Sequence, residues 1–285
     1  MKNLLLLIVS IITIIGCNVN EKKNTFENID TLYNNQSLND SSSFIICSMP
    51  APLQIANLIK NENTEFYDNF LEPASHKDFT ALSITNKALL LGILSIDLGY
   101  SIVYDKQQNI LNFVSKVKIL SEDLGVIGAF SPAVVKRLEN NIKNPDSLSF
   151  IALSSFNEVT NYFNENERQE TAVLMLTGGL IEGIYLSSNI AKLNPSNVNK
   201  NIVAQQKFFI DNALKLFDIN NETLPEIKDL KNSLDELQKE FDKIEITYLE
   251  SDKNKNKVVE KITLTDKQLD NITQKINELH NSIIQ

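Results

Sequence analysis

The stretch LLLGILSIDLGYSIVY, residues 89–104, is apolar all the way round a helical wheel apart from Ser95, Asp97, Ser101 and two tyrosines. A helix without a polar face belongs inside a protein or inside a membrane. This one is short for a span and carries an acid at its midpoint, where a bilayer makes charge expensive. It is therefore expected to be a central core helix. An echo follows 85 positions later as LMLTGGLIEGIYLSSN, residues 174–189. Leu89, Leu91 and Ile96 answer to Leu174, Leu176 and Ile181, and Asp97 with Tyr100 answers to Glu182 with Tyr185. The glycines do not align, which leaves an internal duplication open. If it is real, the two helices sit about a pseudo-twofold axis, each followed by an amphipathic helix.

The glycines and acids of these segments ask for a reason. Gly92, Gly99, Gly178, Gly179 and Gly183 are five of the seven glycines beyond residue 16. Each costs about 1 kcal/mol relative to alanine in a helix interior, so close approach of another backbone or of a ligand is expected. Helix positions three apart share a face, which sets each acid beside its tyrosine. A buried carboxylate needs partners or loses its charge. Two readings stand at this point. In the first, Asp97 and Glu182 are structural, bonded to tyrosine hydroxyls or free backbone amides. In the second, Asp97, Tyr100, Glu182 and Tyr185 line one site between the two helices for a small ligand or a hard cation.

Around these helices the chain reads as an all-α multi-helix bundle. Apolar content is 42%, with only 8 Gly and 7 Pro in 285 residues and no Trp, a profile of periodic helices rather than sheets. A short helix is expected from Leu53 to Lys60. Ser75 and Asp78 have the spacing of a capping box and predict a long helix from there to about Tyr104. From Gln107 to Leu124 the positions Ile110, Phe113, Val114, Val117, Leu120 and Leu124 form one face, with Lys116 and Lys118 outside. Gly125 and Gly128 end that helix. Ser131-Pro132 starts a helix to Ile142, and Asn144-Pro145 precedes one from Asp146 to Phe163. Asn166 with Gln169 is expected to cap the second apolar helix. After the break at Asn194-Pro195-Ser196-Asn197, a single helix is expected from Val198 to Phe217.

The last third changes character. Ile227, Leu230, Leu234, Leu237, Phe241, Ile244 and Tyr248 advance by threes and fours, as do Leu269, Ile272, Ile276, Leu279 and Ile283. These are seam positions of an antiparallel helical pair. Ile244, Ile246 and Tyr248 also alternate by two, as do Ile262 and Leu264, and Thr265 with Gln268 has the form of a fresh N-cap. An all-helical body is favoured, and the tip over 244–264, helix or small β-hairpin, stays undecided.

The N-terminus carries an address. MKNLLLLIVSIITIIGC, residues 1–17, joins a basic start at Lys2 to an apolar run and ends in Ile14-Ile15-Gly16-Cys17. These four residues resemble the lipobox of bacterial lipoproteins, which implies a signal peptide over 1–16 and diacylglyceryl on the thiol of Cys17. Two or more acyl chains anchor stably where one does not. Residues 17–45, rich in Asn, Ser and charge, are expected to be a lipidated flexible tether. Residues 46–285 then form a single helical domain, with a core bundle at 46–218 and the helical pair at 222–285. Cleavage leaves 26 basic against 36 acidic residues, net −10. That is a poor partner for nucleic acid or an anionic membrane surface. Cys47 has no disulfide partner. His76 and His280 lie at no metal-ligand spacing, and no P-loop, GxGxxG or GxSxG is present. No metal or cofactor is expected beyond the covalent lipid, and no catalytic residue is assigned.

Three further segments carry a family resemblance: Met49-Pro50-Ala51-Pro52-Leu53-Gln54-Ile55-Ala56, then Asp97-Leu98-Gly99-Tyr100, then Gly178-Gly179-Leu180-Ile181-Glu182-Gly183-Ile184-Tyr185. Together they resemble marker segments of uncharacterised helical lipoproteins of Bacteroidetes-type bacteria, from about residue 45 to the end. The resemblance implies a lipid anchor and one helical body, and implies no activity. No strongly acidic run follows Cys17, which in that group favours the periplasmic face of the outer membrane over the cell surface, without deciding it. The expected role is a lipid-anchored cell-envelope protein that binds or scaffolds without catalysis. The alternative is a ligand- or cation-binding, or weakly enzymatic, protein using the acid–tyrosine residues. An envelope protein partner docking along Leu224 to Ile284 is a third expectation, and it requires an exposed apolar stripe there.

Overall fold

The computed structural model describes residues 52–61, 64–71, 79–126, 131–166, 168–220, 225–249 and 258–284. The leader, Cys17, the tether, Cys47, His76, Gly128 and the Ser75–Asp78 capping pair lie outside them. Over the described residues the chain is an all-α bundle with one small antiparallel hairpin. Its helices are α1 (Pro52–Asn61), α2 (Ile84–Val103), α3 (Gln107–Asp123), α4 (Pro132–Asn140), α5 (Pro145–Glu165), α6 (Gln169–Leu193), α7 (Asn197–Gln205), α8 (Lys207–Asn220), α9 (Pro225–Phe241) and α10 (Asp266–Ile284).

The two apolar segments are the central pair, α2 and α6, which make the most extensive helix–helix interface. Both are long and apolar enough to cross a membrane, yet 83% and 94% of their most apolar stretches are buried within the fold. Glycine makes their crossing close. A methyl carbon built on Gly92 would overlap the carbonyl oxygen of Met175 and lie 2.6 Å from the amide nitrogen of Gly179. One built on Gly178 would overlap the carbonyl oxygen of Leu89. Backbone therefore meets backbone, as small residues allow wherever helices approach this closely. The expectation of close approach holds at Gly92 and Gly178. At Gly183 the neighbours are side chains, Ile55 and Gln206.

The other helices wrap this pair. α1, α3 and α5 pack against α2, while α7, α8 and α10 pack against α6, and α9 closes over α8 and α10. α3 buries Ile110, Phe113, Val114, Val117 and Leu120 as its period predicts. Lys116, expected outside, is 8% exposed with its ammonium 5.5 Å from the Phe113 ring centroid. Its aliphatic stem covers the apolar face and adds to the packing.

Several helix ends follow from local chemistry. Ser131 accepts a backbone N–H bond from Val134 and is the expected N-cap, while Asn144 and Ser196 accept from Ser147 and Asn199 and cap the helices that follow them. Gly125 takes φ +78° after α3, and the Val126 N–H donates to the Ser121 carbonyl at 2.7 Å. The same closure ends α2, with Asp105 at φ 55° and the Lys106 N–H donating to the Ser101 carbonyl at 2.9 Å. Both are left-handed caps that satisfy carbonyls the helix leaves open.

Three expected boundaries are corrected. α2 begins at Ile84, not near Ser75, because the Ser83 hydroxyl accepts from the Asn86 N–H at 3.2 Å after a 3-10 turn at Phe79–Ala81. Asn166 does not cap α6. Its amide donates to the Tyr162 carbonyl and closes α5, while Arg168 stands at the N-cap of α6 and reaches the Leu124 carbonyl at 2.6 Å. The helix expected from Val198 to Phe217 is split at Gln206. That side chain is drawn inward, donating to the Ser187 hydroxyl at 2.6 Å.

At the tip of the α9–α10 pair, β1 (Glu245–Leu249) and β2 (Val258–Thr263) form the hairpin, with Ile246 opposite Ile262 and a bulge at Thr247/Tyr248. The period of two wins over the helical seam beyond Phe241. A lone hairpin is marginal in water, and this one is supported by buried Ile244, Ile262 and Leu264 beneath it. Thr265 and Gln268 exchange capping bonds at the start of α10, as expected.

Candidate functional site

On α6, Glu182 and Tyr185 lie three positions apart and face the same way, towards α10. There they meet His280, which sequence reasoning left beside the terminal seam and assigned no role. His280 Nε2 is 2.7 Å from Glu182 Oε2, with side-chain exposures of 3% and 0%. The Tyr185 ring stacks on the imidazole at 3.9 Å between centroids and 6° between planes. One turn further along, Asn189 donates to Asn277 at 2.9 Å, and then Lys192 meets Asp270 at 2.9 Å. α6 and α10 are thus joined by an antiparallel row of polar contacts running from the buried pair out to the surface.

The signal for His280 was present in the periodicity. Leu269, Ile272, Thr273, Ile276, Leu279 and His280 are the buried positions of α10, two adjacent stripes of one helix face. A histidine on that face had to meet something polar. Which group it met depended on how α10 lies across α6.

Tyr100 sits elsewhere. It packs into an aromatic cluster with Phe66 (stacked, 5.1 Å) and Tyr104 (4.8 Å), and its hydroxyl accepts from the Tyr67 N–H at 3.2 Å. Burial pushes the Tyr100 phenol up to about 12 and raises Tyr104 as well. Lys60 and Lys106 lie over the rings of Tyr104 and Phe66, and Lys60 also donates to the Val103 carbonyl at the C-terminal end of α2. Cations are favoured at that end of a helix and over aromatic faces.

The segment 64–71 joins the two seats. Tyr67 touches Phe70, and Phe70 meets Tyr185 edge-on at 6.2 Å. The Tyr67 hydroxyl also accepts from Asn194 just after α6. Asp97, on α2, has no exposed surface and is engaged by its surroundings. Positions that correspond in the sequence echo therefore have unlike environments: Tyr100 faces the 64–71 segment and Tyr185 faces α10.

The polar side chains are built into helix interfaces. Gln206 bridges to Ser187 and, at 3.4 Å, to the Gly183 carbonyl. The surface clefts between α8 and α9 and between α9 and α10 are lined by residues such as Lys228, Asp235, Glu236 and Lys275, and include none of the four candidates. Among the described residues, no group of three or more His, Cys, Asp or Glu side chains is arranged to hold a metal ion. No protein-family model, curated protein or solved structure matches the chain.

Proposed function

We propose that the chain is a lipid-anchored protein of a bacterial cell envelope that acts through contacts on its surface rather than through a reactive site in its core. The anchor rests on the Ile14-Ile15-Gly16-Cys17 sequence and the resemblance to helical lipoproteins. One observation supports a non-catalytic role above the rest: Glu182, fully buried, pairs with His280 in a packed helix interface. Tyr185 stacks on the same imidazole, and Tyr100 is part of an aromatic cluster. Groups so engaged hold helices together, the commonest use of buried polar side chains.

The apolar seam of the C-terminal pair turns inward, with Leu234, Leu237, Phe241, Ile272 and Ile276 at 1% exposure or less. Along the described faces of α9 and α10 a partner would meet polar side chains rather than this apolar seam. The anchor is tested by expressing wild type and Cys17→Ala in a bacterial host with labelled palmitate. Wild type is expected to be processed and labelled, and globomycin should leave its precursor uncut. Cys17→Ala should stay full-length and unlabelled. Unlabelled wild type, or normal maturation of the variant, sinks the proposal.

A further inference from the structure

The buried pair between α6 and α10 is a titrating element that packing alone did not require. His280 Nε2 and Glu182 Oε2 stand 2.7 Å apart with almost no exposure. With one proton between them the pair carries no net charge, whichever side holds it. A second proton leaves a buried cation, and loss of the first leaves a buried anion. Either is costly where water cannot reach. Tyr185, stacked flat on the imidazole, accepts both of its states, since an aromatic face attracts the charged form and packs against the neutral one.

We propose that this pair makes the seating of α10 on α6 proton-dependent, the C-terminal helix being held tightest while Glu182 and His280 share a single proton. Of the other charged groups along α10, Asp266, Asp270 and Lys275 are paired at the surface, Glu278 accepts from Gln274 and Lys267 is exposed. Lys192 meets Asp270, Lys200 meets Asp266 from α7, and Lys275 meets Glu236 from α9. Glu240 of α9 takes Lys243 and Asn271. Such exposed pairs are screened and contribute little. On α2, which also packs against α10, the buried acid is Asp97. α10 takes no part in the glycine crossing, so it can lift without parting α2 from α6.

The pH window follows from the released state. A free glutamate and a free histidine hold one proton between them from about pH 4.3 to about pH 6.5. Below that range the released side chains take up a second proton that the seated pair resists. Above it they shed a proton that the seated pair retains. Release is therefore favoured on both sides, by up to tenfold per pH unit for a one-proton difference.

The test is hydrogen exchange of the amides at 266–284, corrected for intrinsic rates, with the amides of α2 as internal reference, from about pH 3.5 to about pH 9. In wild type, protection of α10 relative to α2 is expected to peak inside the window and fall on both sides. Glu182→Gln leaves a lone buried imidazole, so its protection should fall with acid from about pH 6.5 and stay level above. His280→Gln leaves a lone buried carboxyl, so its protection should fall with rising pH from about 4.3. The double variant should be level throughout. A pH-independent wild-type α10, loss of α2 and α10 protection together, or single variants that keep the wild-type profile would each overturn the proposal.

Discussion

At Gly92 two residue-scale effects oppose each other. Alanine in place of glycine inside a helix stabilises by about 1 kcal/mol through propensity. Here the added methyl would overlap the carbonyl of Met175 on the facing helix. Overpacking a core costs typically 1–3 kcal/mol and more when backbone has to move. The steric effect wins. Gly92→Ala and Gly178→Ala are each expected to lower unfolding free energy in urea by about 3 kcal/mol. Gly179→Ala, whose nearest neighbour would be Ile96 at an ordinary 3.6 Å, should leave stability unchanged or raise it by up to about 1 kcal/mol. Equal effects at all three positions would refute the close-crossing account. The requirement for glycine was visible in the sequence as an excess in two helices. Which glycines carry the crossing was not, because that depends on how the two helices are rotated against each other.

Among the elements, the loops after α2 and α3 close with the same motif and different residues. Asp105 and Gly125 both take the left-handed conformation, which is free for glycine and strained for a side chain. Asp105 also puts a carboxylate at the negative end of the α2 dipole. Asp105→Gly should raise stability by about 1 kcal/mol and Gly125→Ala should lower it by about as much. Thermal melts of the two variants check this, and a shift of both in one direction counts against it. Element boundaries were legible where a hydroxyl or amide precedes an apolar run, at Ser131, Asn144, Ser196 and Thr265. The start of α2 was misread at Ser75, where Ser83 holds the cap. The break at Gln206 has no local signal, since neither glycine nor proline marks it. It coincides with a hydrogen bond to Ser187 on another helix.

Across the whole molecule, the 64–71 segment ties the C-terminal end of α2 to α6 through aromatic contacts. Tyr100 is central to that tie, and its phenol is pushed from 10.0 up to about 12, first by burial. The neutral form is thus favoured in the fold. Its stabilisation is fully present below pH 10 and is lost as pH rises through about 12. Two pKa units correspond to roughly 2–3 kcal/mol, and the raised Tyr104 phenol adds in the same direction. Urea midpoints measured from pH 9.5 to about 12 should fall steeply in wild type. In Tyr100→Phe they should fall less steeply, from a lower start, because the Tyr67 amide loses its acceptor at a cost of about 1 kcal/mol. Parallel slopes would show that another group carries the alkaline transition.

The sequence by itself determined the class of this protein. Two segments apolar on every side could be stable only as buried central helices, and the three-and-four spacings around them specified helices that cover that pair. These are local patterns, and burial is proportional to apolar surface wherever the chain finds it. The tertiary structure decided which polar groups meet. Glu182 and Asp97 look alike in sequence, each an acid followed by a tyrosine, yet Glu182 found His280 across α10 and Tyr100 found the 64–71 segment. A buried charge takes whichever partner the packing of distant helices sets before it, and no spacing along the chain encodes that choice.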